Sequence, residues 1–124
     1  METDPYLEGI RLFNEGEYWH AHEQWESCWL GVGEPESTFY KGIIQAAAAL
    51  VHWKKGNRRG LRRNWEKSRP KLVALPPTMR GLDLRALIAD MDRFVLAGGA
   101  VGEPPRQRLI VEEPSPSTPP PCNP

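Results

Sequence analysis

Apolar residues recur along most of this chain at intervals of three and four, the spacing that gathers side chains on one side of a helix. No stretch alternates in the manner of a strand. Asp4-Pro5 opens the first segment, a capping carboxylate followed by a proline suited to the first helical position; Ile10 and Phe13 carry its stripe and Gly16 closes it. A second helix is predicted over 17–30, ending in Gly31-Val32-Gly33-Glu34-Pro35. The third begins at 35–37 and continues to Lys55. Phe39, Ile43, Ala46, Leu50 and Trp53 occupy one face and Ile44, Ala47 and Val51 another, so this helix belongs in the middle of a bundle. Gly56-Asn57 supplies a stop and a cap for the fourth helix, whose inner stripe of Leu61, Trp65, Ser68 and Leu72 is narrow. Leu75-Pro76-Pro77 breaks the chain, and Asp83 caps a fifth helix with Leu84, Leu87, Ile88, Met91, Phe94 and Val95 in amphipathic register. The predicted class is all-α, a compact irregular bundle of about five helices.

Thirteen prolines would forbid such a fold if evenly spread, but between residues 6 and 75 there are only Pro35 and Pro70. Two regions follow: a helical domain over 1–97 and a Gly/Pro-rich tail over 98–124. The tail is expected to be disordered, because it offers too little apolar surface to offset the entropy of ordering it. The domain lies near the lower size limit for a single hydrophobic core, and Trp19, Trp25, Trp29, Trp53 and Trp65 supply bulk to compensate.

Charge alters the picture through its distribution. Sixteen basic and sixteen acidic residues cancel, so net charge nominates neither nucleic acid nor membrane. Before residue 38, however, Arg11 alone faces nine acids, while the 54–71 segment holds nine basic residues and only Glu66. The two halves are expected to attract one another in the folded chain. Arginines at i and i+4 in 54–71 would also suit a phosphate backbone, although charge runs are usually solvated faces, so nucleic acid is the less favoured partner. Cys28 lies in a helical pattern and Cys122 in the tail, and two free thiols in a reducing compartment are expected. The longest apolar run, 46–51, is too short to span a bilayer, so no membrane association and a cytoplasmic location are expected.

Candidate chemistry concentrates on the second helix. At about 100° per residue, Tyr18, His22, Trp25 and Trp29 share one face, and Glu26 stands one turn beyond His22. His20 points nearly opposite, so His20-Ala21-His22 is not a two-histidine clamp. On the third helix, Gln45 and His52 are seven residues apart and project from one side, separated by the small Ala48 and Ala49. If that side faces the second helix, His22, Glu26 and His52 converge as two imidazoles and a carboxylate with open positions. Such a set suits a divalent metal (zinc, iron or manganese), with a bound water as nucleophile for metal-assisted hydrolysis and Glu23 or Glu26 as base. The opposite reading makes the same residues a satisfied core network in a non-catalytic structural or protein-interaction module. An aromatic surface on this helix would then offer a homodimer interface.

The stretch Phe13-Asn-Glu-Gly-Glu-Tyr-Trp-His-Ala-His22-Glu23-Gln-Trp-Glu26-Ser-Cys-Trp29, followed by Gly42-Ile-Ile-Gln45-Ala-Ala-Ala-Ala-Leu-Val-His52, resembles the domain of unknown function 309 family. These are small helical proteins, and the similarity covers roughly residues 6–94, including the Gly81-Leu82-Asp83-Leu84 stretch. The family's His-x-x-x-Glu-x-x-Trp motif is matched by His22, Glu26 and Trp29. The resemblance implies metal binding there, with Glu23, Gln45 and His52 as further residues to consider. It implies no reaction.

Overall fold

The computed structural model describes residues 4–100 and 104–106. The Asp4 carboxylate accepts a hydrogen bond from the Tyr6 amide, and Pro5 stands in the first turn, so α1 (Pro5–Asn14) starts where its cap dictates. Gly16, at φ 83°, turns the chain into α2 (Tyr18–Trp29). The third helix, α3 (Glu36–Lys54), is followed by Gly56 at φ 77° and by Asn57, whose side chain accepts from the Gly60 amide and caps α4 (Arg58–Val73). Asp83 in the same way caps α5 (Leu84–Leu96) through the Ala86 amide.

Consecutive helices pack on one another, which leaves α3 between α2 and α4. This position explains its composition. Phe39, Tyr40, Ile43, Ala46, Ala47, Ala49 and Leu50 are all buried, as an apolar circumference requires of a central helix. The five-helix, all-α expectation holds among the described residues. One short element was not foreseen: β1 (Thr78–Met79) and β2 (Leu82–Asp83) form a two-residue hairpin before α5. Four strand residues are too few to leave an alternating signature in the sequence.

The hairpin acts as a clip. Arg80 and Gly81, its two turn residues, have φ of 50° and 76°, the left-handed pair that a tight antiparallel hairpin demands. Asn or Gly is the usual first residue there, so arginine costs backbone energy that its contacts must offset. Its guanidinium lies 4.7 Å from the Tyr6 ring and 5.9 Å from the Tyr40 ring, and its carbonyl accepts from the Tyr6 hydroxyl at 2.9 Å. Burial pushes the Tyr40 phenol up to about 12, although the Arg80 charge opposes the shift. The hairpin is thereby fastened to α1 and α3.

The expected attraction between an acidic and a basic half is corrected by this order of packing. Glu8 and Glu15 pair with Arg11 on α1, and Glu23 and Glu26 contact His20 and His22 on α2. The α4 arginines stand on the far side of α3. Arg58, Arg59, Arg62 and Arg63 are exposed and make no ion pair among the described residues.

Cys28 is buried and disulfide-bonded, which corrects the expectation of a free thiol there and removes the ground for inferring a reducing compartment. Cys122 lies outside the described residues, as does most of the tail predicted to be disordered. No helix among the described residues is long and apolar enough to cross a membrane.

Gly9 sets the spacing of α1 on α2. A Cβ built there would sit 2.2 Å from Trp25 Nε1 and 2.6 Å from two ring carbons, and that indole is fully buried while donating to the Tyr6 carbonyl. In an exposed helix Gly→Ala gains up to about 1 kcal/mol. Here we expect Gly9→Ala to destabilise by about 1–3 kcal/mol through overpacking. Chemical denaturation reads the sign directly.

Candidate functional site

On α2 the buried face consists of Tyr18, Ala21, Trp25 and Cys28. His22 lies at its margin with the side chain 17% exposed, and its ring stacks on Trp19 at 5.2 Å and 10°. Glu26 Oε1 is 3.5 Å from His22 Nδ1, as the four-residue spacing predicted. That contact lacks hydrogen-bond geometry, and Nδ1 has no hydrogen-bond partner although it is buried. The indole N–H groups do not serve it. Trp25 donates to the Tyr6 carbonyl and Trp29 donates to Ser37 Oγ at 3.0 Å. Glu23 is turned outward to His20, 3.2 Å away, and both are exposed. His20 is the solvated residue that the helical angle implied.

The third helix meets one expectation and overturns another. Gln45 and His52 do share a side, together with Gly42, but that side faces α4. Gln45 Oε1 accepts from Lys71 Nζ at 2.9 Å, and the Gly42 carbonyl accepts from the buried Ser68 hydroxyl at 2.6 Å. His52 Nδ1 lies 3.1 Å from Asn57 Nδ2, and its ring covers Gly60 so closely that a Cβ there would stand 2.5 Å from it. Lys54 marks the opposite side, reaching the Gly16 carbonyl at 2.8 Å and lying over the Tyr18 ring. Residues two positions apart on a helix differ by about 200°, so His52 cannot point where Lys54 points.

The proposed convergence of His22, Glu26 and His52 is therefore corrected. Among the described residues no group of three or more His, Cys, Asp or Glu side chains could hold a metal ion. The orphaned Nδ1 of His22 and the Glu26 carboxylate amount to two donors, one of them half exposed. Zinc, iron or manganese sites draw on at least three protein donors, so these residues do not fit the group. Glu23 and Glu26, the carboxylates expected to act as base, are both exposed on α2. The aromatic surface imagined for a homodimer is likewise mostly consumed, since Tyr18 and Trp25 are in the core and only Trp19, 55% exposed, stands out.

A different feature lies where α4 meets α5. An open groove of about 1010 Å³ runs between them. Pro70 and Val73 on α4, Ala74 at its C-cap, and Val95 and Leu96 on α5 give it aliphatic walls. Leu96 is 87% exposed and Val73 52% exposed, an unusual outlay for large aliphatic residues in a small domain. Arg58 and Arg62 line it as well, one turn apart and unpaired among the described residues, against a single carboxylate, Glu66, outside any ion pair there. The other acid, Asp92, is committed. It takes both Nε and an Nη of Arg69 at 2.9–3.1 Å and the Trp65 indole N–H at 2.8 Å, which ties α5 to α4 beneath the groove. Sequence reasoning recognised the arginine run but not the groove, because the partner wall comes from a helix some thirty residues on.

The fold and site define a small all-helical protein with a central apolar helix and no assembled metal centre among its described residues. Residues 6–64, just under half of the chain, match the family model described as "Domain of unknown function (DUF309)". The match ends inside α4, short of the 6–94 span over which the motifs suggested similarity. The chain is also 31% identical over 112 residues, 90% of its length, to an uncharacterized protein of Aquifex aeolicus (strain VF5). It spans about a third of that relative, 33% of its length.

Bidentate pairing with Arg69 holds the Asp92 carboxyl below the ordinary carboxylate range, helped by the Trp65 N–H and opposed by partial burial. A depressed folded pKa contributes stability that is present above the unfolded value of about 3.9 and is lost as pH falls below it. We expect Asp92→Asn to flatten the acid limb of the stability curve below about pH 4. Denaturation midpoints of both proteins across that range provide the measurement.

Proposed function

We propose that this protein is a non-catalytic interaction module whose α4–α5 groove receives apolar, acidic peptide segments. The observation that carries the reading is the combination of aliphatic walls with two unpaired guanidinium groups, Arg58 and Arg62, at one groove. Apolar walls reward an apolar side chain by burial, and guanidinium groups beside them reward a carboxylate with charge-assisted hydrogen bonds. Nucleic acid suits the same charges less well. Single strands need aromatic faces on which bases stack, and the groove offers aliphatic carbon, with Trp65 only 3% exposed.

On this reading the α2 pair is structural. His22 packs on Trp19 and abuts Glu26, while His52 and Gln45 fix α3 to α4. His52→Ala is expected to destabilise the fold by about 1–3 kcal/mol, because it empties the space over Gly60 and strips Asn57 of a partner. The partly exposed His22→Ala should cost about 1 kcal/mol or less. Neither melt should respond to chelator. Stoichiometric metal in untagged protein, lost together with stability in His22→Ala, would restore the metal reading.

The module reading is tested with a labelled amphipathic peptide of leucine and glutamate, followed by fluorescence anisotropy. Arg58→Glu/Arg62→Glu should weaken binding about tenfold, and added salt should act in the same direction. A peptide that fails to bind wild-type protein and its variants alike would remove the proposal.

A further inference from the structure

We infer that the groove's occupant is a segment of this same chain, residues 109–113, acting as an intramolecular ligand. The inference rests on the interaction reading above and names what fills the site. Leu109-Ile110-Val111-Glu112-Glu113 is the only run of consecutive large aliphatic residues after Leu96, and two carboxylates follow it directly. The groove asks for that order of chemistry: aliphatic walls in Val73, Val95 and Leu96, then the unpaired charges of Arg58 and Arg62.

Connectivity favours it further. Gly98 belongs to the groove wall, so the chain leaves α5 at the groove itself. Arg58 packs against Gly98, where a Cβ would meet its Cδ at 3.7 Å, which puts one of the receiving charges at the exit. Ten residues, and so eleven peptide steps, separate Gly98 from Leu109. Extended, they span up to about 36 Å, against about 24 Å for the whole of α4, so every point of the groove is within reach. Pro105 is buried, so the chain lies against the body of the protein shortly before the segment begins. A ligand tethered this closely acts at an effective concentration near millimolar, so even weak contacts keep it in place. An external acidic peptide then binds by displacing it.

The full chain serves for the test, with Cys122 retained. Ile110→Asp puts a charge where an aliphatic side chain should be buried, and Glu112→Lys/Glu113→Lys reverses the paired charges. In two-dimensional NMR spectra both variants should shift the Trp65 indole and the amides of Val73, Ala74 and Leu96, leaving α1 and α2 unmoved. A labelled peptide of sequence 107–114 should bind Ile110→Asp at least about tenfold more tightly than wild type, whose own segment competes. Arg58→Glu/Arg62→Glu should abolish that binding, and pairing it with Glu112→Lys/Glu113→Lys should restore the wild-type spectrum. Equal peptide affinities for wild type and Ile110→Asp, or shifts confined to other helices, would overturn the inference. If the leucine–glutamate peptide binds both chains alike while the 107–114 peptide binds neither, the module reading stands and this one falls. If neither peptide binds any variant, both fall. Shifts that vary with protein concentration, or that a DNA oligonucleotide reproduces in wild type, would assign the groove to a second copy or to nucleic acid and also overturn it.

Discussion

The placement of α3 between α2 and α4 is the constraint on which the rest of the structure depends. A helix flanked on both sides cannot spend a face on water, and α3 answers with alanines and aliphatic residues around almost its whole circumference. Its few polar groups must then find partners on a neighbouring helix. Gln45 and His52 find theirs on α4, through Lys71 and Asn57. Small residues set how close the neighbours come. Gly42 admits Leu72 and Gly60 admits the His52 ring, and each carries its own contact across the α3–α4 boundary.

The same constraint separates the charges. With α3 interposed, the acids of α1 and α2 pair along their own helices and the α4 arginines keep theirs for solvent or a ligand. Asp92 does cross to α4, and its bonds to Arg69 and Trp65 tie α5 to α4 beneath the groove. Charge, groove and helix order thus have a single origin. The α2 helix, which lies within the stretch that matches the DUF309 model, sits on the other side of the bundle, where Trp25 and Trp29 use their indole N–H groups to fasten α2 to its neighbours. His22 and Glu26 stand at the margin of that packed face.

Much of this was legible in the residues alone. Asp4, Asn57 and Asp83 each announced a helix start and each accepts the capping hydrogen bond. Capping is local chemistry, settled within three residues, so sequence carries it in full. The helical angle also separated His20 from His22 and joined Gln45 to His52 on one side. The Arg80 hairpin was not legible, because its support comes from aromatic rings on α1 and α3 and not from its own two strands.

What sequence by itself determined, then, is everything set by periodicity and capping: five helices, a central apolar one, and which side chains share a side. What only the tertiary structure decided is which neighbour each side meets. A periodic pattern fixes angles around a helix axis but carries no information about the direction of the next helix, and a choice between α2 and α4 reverses the meaning of His52. The groove belongs to the same category, for its two walls come from separate helices, joined by a carboxylate on one and two donors on the other.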